Sequence, residues 1–508
     1  MVKAVVGEET QLKLIEDRLT QSRLPVQVGL VIGKLSSPLD RGFVFDLIPT
    51  PPNDAREPAC SLVETTAKDD KKKGPKSKSQ ASADSSSLLP PLASPSSSSL
   101  FIDNDWVAEH ARQVARMLVG GMKVIGIYIW VSDTVFKNST ITLCQLLQTV
   151  KGVAEAAPLL ENDREERLLI HICYSPMRWT CRNCTWTSNI TSSSLRPCDF
   201  KMGRVLTSLQ TFKCNYNFNL RLPICQESAS NAQTLSDVLC QGISHHAKEL
   251  KDARAVIDGN LVVSDEPSTS DGVHEVELLL PFMKDTYAEA CSRKDVLGVL
   301  LFKGSVCSFA YLNSKEPISQ AVADIKRDII SSLQSRLDII CDEAYGDMGQ
   351  TEDVSQEASD GKSTDKPVPQ LVLQLLRQEC SLSFPRRVFV PWLAGTYICD
   401  YLQPSETLEV LKDHCVELMS METPSDTSTI LELEKEAPSL VTKPFWDVAI
   451  PFNSASCSPL EKNGIDTREE SGKQSTKSNN LNIVGAILFL LLSIVVGLVL
   501  YVVRGSKT

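Results

Sequence analysis

Residues 483–503 read IVGAILFLLLSIVVGLVLYVV, an unbroken apolar run through Ile483, Leu490 and Val503 without a charged side chain. At ~1.5 Å per residue, a helix of this length crosses a ~30 Å hydrocarbon layer. This run constrains the chain most, because the residues before it must fold in water while the run itself favours lipid. The first residues, MVKAVVGEETQLKLIEDRL, carry Glu8, Glu9, Lys13, Glu16 and Asp17 where a secretory signal needs an apolar core. Only 504–508 follow the run, so post-translational insertion is expected, with a single pass and a cytosolic body. Tyr501, Arg504 and Lys507 are interfacial anchor types. A full-length span with a mildly basic tail favours the endoplasmic reticulum over the mitochondrial outer membrane.

The formal net charge of -11 without a basic stripe argues against nucleic-acid binding. The one basic run, from Lys71 to Lys78, sits in Ser/Pro-rich chain. Neither a GxxxxGK[ST] loop nor a GxGxxG turn marks a strand-to-helix junction, so neither a nucleotide, another cofactor nor a small-molecule substrate is expected. The 16 cysteines are scattered, many in apolar stretches, as free thiols of a reducing compartment are.

Two apolar runs, VQVGLVIGKL and GFVFDLI, joined by the turn-forming residues 36–42 predict a hairpin over 26–48, followed by a disordered Ser/Pro/Lys-rich insertion, 53–101. Asp103-Asn104-Asp105 starts a helix carrying Trp106, Val107, His110, Ala111, Val114 and Met117 on one face. Gly120-Gly121 stops it before a doubly buried strand, 123–131. A mixed α/β domain over 161–345 includes alternating strand 212–220 and a helix over 318–344 with Ile318, Ala321, Val322, Ile325, Ile329 and Leu333 buried. An acidic linker (346–366), a small α/β unit (367–420) and a polar tether (421–482) lead to the membrane span. The fold class is α+β.

Cys181 and Cys184, with Cys198 beyond, are weak metal-ligand candidates, since a structural zinc site needs a second paired hook. Asp413-His414-Cys415 cannot form a triad, because helix neighbours diverge by ~100°. His245-His246 is expected on a solvated helix face. The run 387–392 is either a core strand or an interaction edge. Trp106, Arg387, Phe389 and Trp392 are the partner-binding candidates.

Three stretches, DNDWVAEHARQVARMLVGGMKVIGIYI (103–129), AVADIKRDIISSL (321–333) and RRVFVPWLAGTYICDYL (386–402), resemble the odorant response abnormal 4 family. The resemblance implies a tail-anchored endoplasmic-reticulum protein that supports multispanning cargo and partners the cysteine protease specific for the ubiquitin-fold modifier. Residues 1–160 are similar to an MPN (JAMM-like) domain. Val26, Ile129 and Val131 occupy the positions of that domain's catalytic Glu and two metal-binding His, which implies a docking module without catalysis. The expectation is a non-catalytic adaptor. A trafficking chaperone without the protease, and a cryptic cysteine or metal hydrolase, are the alternatives.

Overall fold

Nearly continuous apolar runs on both sides of a Pro-containing turn make residues 27–49 a hairpin, and its two strands are neighbours in a closed barrel. The computed structural model describes residues 2–36, 38–64, 98–154, 166–185, 194–225, 235–263, 272–281, 296–350, 381–424 and 426–444, with the side chains of 64, 98, 185, 224–225, 296–297, 343–350 and 444 excepted. In chain order the first elements are β1 (Ala4–Glu8), α1 (Glu9–Ser22), β2 (Gln27–Ser36), β3 (Arg41–Pro49), β4 (Cys60–Glu64), β5 (Ser98–Ile102), α2 (Asn104–Met117) and β6 (Lys123–Trp130). They continue with α3 (Asp133–Asn138), α4 (Thr140–Ala154), β7 (Glu166–Tyr174), β8 (Met177–Thr185) and β9 (Leu195–Gly203). The barrel order is β1-β3-β2-β6-β7-β8-β9, and β1 closes it by pairing in parallel with both β3 and β9.

Both faces of the barrel wall are apolar, which is why β6 reads as a continuous run of Val, Ile and aromatic residues. Val5, Val31, Val44, Ile125, Leu168 and Ile170 gather with Leu12, Ile15 and Leu19 of α1. On the other face, Leu30, Ile32, Phe45, Ile127 and Ile129 pack with residues of α2 and α4. The ends of the expected insertion are ordered, which corrects its bounds. β4 and β5 pair as a ribbon and bury Cys60, Leu100 and Ile102, while 65–97 lie outside the described residues.

The second sheet is built on two long strands, β10 (Leu209–Cys225) and, further on, Val296–Asn313, which pair along their length. The period-two expectation for 212–220 holds: Phe212, Cys214, Tyr216, Phe218 and Leu220 are buried, and Asn215, Asn217 and Asn219 are exposed. Helix α5 (Leu235–Asp252) follows, then β11 (Arg254–Ile257), β12 (Asn260–Leu261), β13 (Val273–Leu279), β14 (Val296–Asn313) and α6 (Ile318–Gln350). Ala321, Val322, Ile325, Ile329 and Leu333 of α6 are buried as expected, with Ile318 half-buried. The last elements are β15 (Ser381–Ser383), β16 (Arg386–Pro391), β17 (Tyr397–Leu402), α7 (Leu408–Glu417) and β18 (Ser439–Pro444).

Residues after 380 divide between two cores. Val388, Phe389, Ile398, Leu411 and Cys415 join the core of α2 and the barrel wall, whereas Phe384 and Leu440 join that of the second sheet. The stretch expected to begin a polar tether at 421 is part of the body as far as 444. β18 pairs with β14 and β15, and Glu434, whose charge suggested solvent, is 1% exposed. The apolar run with Ile483, Leu490 and Val503 and the acidic linker from 351 lie outside the described residues. Among the described residues no helix is long and apolar enough to cross a membrane.

Burial of Asp46 on β3 pushes its pKa up to about 7, against the Leu47 backbone N–H that favours its charge. The folded chain therefore holds a proton that the unfolded chain loses near pH 4. Stability falls as pH rises from about 4 through 7 and levels off above it. Asp46→Asn keeps the acceptor for Leu47 and removes the charge. It is expected to stabilise the protein at pH 8 by at most roughly 4 kcal/mol and to flatten this decline, read from urea unfolding at pH 5 and 8.

Candidate functional site

The three stretches 103–129, 321–333 and 386–402 meet in space. Asp103 caps α2 by accepting from Trp106 N at 3.0 Å, and an apolar stripe of Val107, Ala111, Val114 and Met117 seats the helix. Beyond it Gly120 and Gly121 have φ of 73° and 81°, and both approach neighbours closely. A Cβ at 120 would lie 2.0 Å from the Tyr311 ring, and one at 121 would lie 2.4 Å from the Asp324 carboxylate. Tyr311 N donates to Gly120 O at 2.9 Å, tying this turn to β14. Sulfur of Cys399 on β17 lies 3.4 Å from Arg116 O, and Leu118 bridges to Ile398.

Charges hold the junction together from inside. Arg387 of β16 forks onto Asp328 of α6 through two 2.8 Å bonds, and its Nη1 also donates to Cys307 O at 3.2 Å. Burial opposes the guanidinium charge, but Asp328 outweighs it and raises the Arg387 pKa above its ordinary value. Glu434 accepts from Arg336 of α6 and from the backbone N–H groups of Arg387 and Cys307, at 3.0 and 3.1 Å for the last two. The guanidinium carbon of Arg387 lies 5.3 Å from the Phe389 ring centroid and 5.7 Å from that of Tyr401. Nearby, Lys34 of β2 pairs with Asp324 at 2.6 Å and donates to Tyr311 O at 3.0 Å. Each of these bonds links two different elements.

A cavity of about 90 Å³ lies here, lined among others by Arg116, Arg167, Asp324, Arg327, Asp328 and Arg387. That volume holds waters, well below the ~300 Å³ at which small-molecule sites begin. The thiols at the junction are inert at neutral pH, since burial pushes Cys307 up to about 12 and Cys399 up to about 11. The arrangement binds elements to one another.

Arg387 and Phe389, expected as partner-binding candidates, are 1% and 0% exposed, so the strand reading of this stretch holds and the contact reading does not. Trp392, at the β16 end, and Trp106 are half-buried. Trp392 N donates to Thr396 O at 2.9 Å, and Trp106 Nε1 donates to Pro51 O at 2.8 Å. Cys181 and Cys184 sit three apart on β8, so their thiols leave opposite faces and lie in different cores. Cys198 stands across from Cys181 on β9. A hydrogen bond between their sulfurs, with burial, raises the Cys181 pKa, and the same bond lowers that of Cys198.

His414 pairs with Asp400 at 2.7 Å, which raises its pKa, while burial pushes Cys415 up to about 12, so no triad forms. His246 corrects the solvated-face expectation. It is buried between Tyr216 Oη at 2.8 Å and Glu249 at 2.9 Å. Sequence reasoning missed Asp328, Arg336 and Glu434. The signal was Asp328, Ser332 and Arg336 at four-residue spacing within the apolar stripe of α6.

A family model described as ODR4-like, odorant response abnormal 4-like, matches residues 29–430. The Protein odr-4 homolog of Mus musculus is 25% identical over 441 residues, 83% of this chain and 84% of that one. The Homo sapiens homolog is 27% identical over 338 residues, 63% of this chain and 69% of that one. The Dictyostelium discoideum homolog is 24% identical over 417 residues, 80% and 77% of the two chains. Among solved structures, the crystal structure of UfSP from C. elegans aligns with a TM-score of 0.35 and 7% identity, covering 85% of this chain and 60% of that one.

Asp328→Ala strands the Arg387 charge and is expected to cost roughly 3–5 kcal/mol. The double variant with Arg387→Met should recover at least half of that. A double-mutant cycle by chemical unfolding reads both, and additive losses would show that the pair carries no coupling.

Proposed function

Because the chain belongs to the odorant response abnormal 4-like family, we propose that it is a non-catalytic adaptor serving membrane-protein trafficking, tethered to the cytosolic face of the endoplasmic reticulum by residues 483–503. In this reading it recruits the cysteine protease specific for the ubiquitin-fold modifier and supports the folding of multispanning cargo. The family match across the body is the observation that carries the proposal. The apolar run in the sequence supports the tether.

Two structural features support an adaptor over an enzyme. Val26, Ile129 and Val131, the positions that the resemblance to an MPN domain assigns to a base and two ligands, are buried apolar side chains. The charged residues where the family stretches meet are spent on holding elements together. The barrel is then a docking module, and half-buried Trp106 on α2 and Trp392 after β16 remain candidate contact residues outside its wall.

Affinity purification of the full chain from its own membranes, beside a chain ending at Asn480, tests the proposal. The protease is expected with both forms but in the membrane fraction only with the full chain. Recovery of the protease with neither form would remove the recruiter reading, and cargo without protease would replace it with the trafficking chaperone.

A further inference from the structure

A carboxylate oxygen of Asp133, a ring nitrogen of His171 and the sulfur of Cys173 lie within 4.8 Å of one another. None belongs to the junction described above. Strand geometry supplies half of the cluster, because His171 and Cys173 are two residues apart on β7 and project from one face. Parallel pairing supplies the rest. β6 runs beside β7 with Trp130 opposite Ile172, which brings Asp133, the first residue of α3, to the end of β7.

His171 is 3% exposed, and its ring stacks on Phe136 with centroids 4.0 Å apart. Its Nε2 lies 3.0 Å from Val131 O. A carbonyl only accepts, so Nε2 carries the proton and Nδ1 keeps a lone pair. That lone pair faces Asp133 Oδ1 at 3.8 Å, beyond hydrogen-bonding distance. The other carboxylate oxygen is held by Arg178 Nη2 at 2.6 Å. Two acceptors thus confront each other beside a thiol.

We propose that Asp133, His171 and Cys173 form a zinc site with a fourth position open to water at the exposed β7–β8 turn. Zinc accepts this oxygen, nitrogen and sulfur set at ~2.0–2.3 Å, and the thiolate disfavours calcium and magnesium. Tetrahedral ligands at those lengths sit roughly 3.5 Å apart. The cluster closes by rotating the Asp133 side chain, 33% exposed, and Cys173, whose sulfur makes a long 3.5 Å contact with Ser175 O. Binding releases the Cys173 proton to solvent, and the thiolate and carboxylate then balance the ion's two charges. The Nε2–H bond to Val131 and the Arg178 bond to Asp133 are the outer contacts that hold ligating groups in orientation. The site is independent of the adaptor proposal.

The test uses the full chain in detergent, stripped of metal and then offered zinc alone or cobalt(II) alone. One equivalent of zinc is expected, along with a cobalt spectrum showing a sulfur-to-metal band. Cys173→Ser and His171→Gln should each weaken zinc binding at least tenfold and remove that band or alter the d–d spectrum. Arg178→Ala, at an exposed side chain outside the core, should weaken binding roughly 10–100-fold without loss of fold, which keeps the test decisive if a core variant fails to fold. A Cys181→Ser, Cys198→Ser double variant should bind as the parent does. Absence of zinc binding by the parent chain, or binding lost in the double variant and kept in the Asp133 cluster variants, would overturn the proposal.

Discussion

The buried pairing of Arg387 with Asp328, backed by Glu434 on Arg336, is the constraint on which the rest of the body rests. Four charged groups from three separate stretches of chain are enclosed together, with Arg336 and Arg387 among the largest fully buried side chains. A buried pair of this kind adds little net stability over apolar residues of the same shape, yet losing one partner is expensive. Its consequence is specificity. β16 can dock on α6 only in the register that brings the fork to Asp328, and the segment holding Glu434 must arrive at the same place. Once these are placed, the hairpin of β16 and β17 covers the end of α2, and Gly120 and Gly121 are pressed against β14 and α6.

What could be read from the sequence followed local periodicity. The hairpin of β2 and β3, the amphipathic face of α2, the doubly buried β6, the alternation in β10 and the buried side of α6 each declare themselves within a dozen residues. Contacts across the chain did not. Arg387 and Glu434 look like surface residues when each is read alone, because a charge appears solvated until its partner is known. The same blindness hid the metal-type cluster, whose members come from the start of a short helix and the end of a distant strand. Cys181-Arg182-Asn183-Cys184 was a weak metal candidate whose spacing suits a turn, and the chain there is a strand.

The family motifs of this chain are therefore mostly interior. They describe how barrel, long helix and late hairpin are joined, and the surfaces that would meet a partner lie around them. This is compatible with the adaptor role proposed above, whose work would depend on holding a shape.

β1 has a consequence for how the protein comes into being. It is made before both of its neighbours, yet it sits between β3 and β9, and the second of these runs only from Leu195 to Gly203. β18, the last strand of the described body, is likewise inserted between β14 and β15. Neither sheet can be completed in the order of synthesis. Closing such long loops carries an entropic cost before the contacts reward it. Until β9 and later β18 are made, each sheet keeps an unpaired strand edge, the kind of exposure that draws chaperones to a nascent chain.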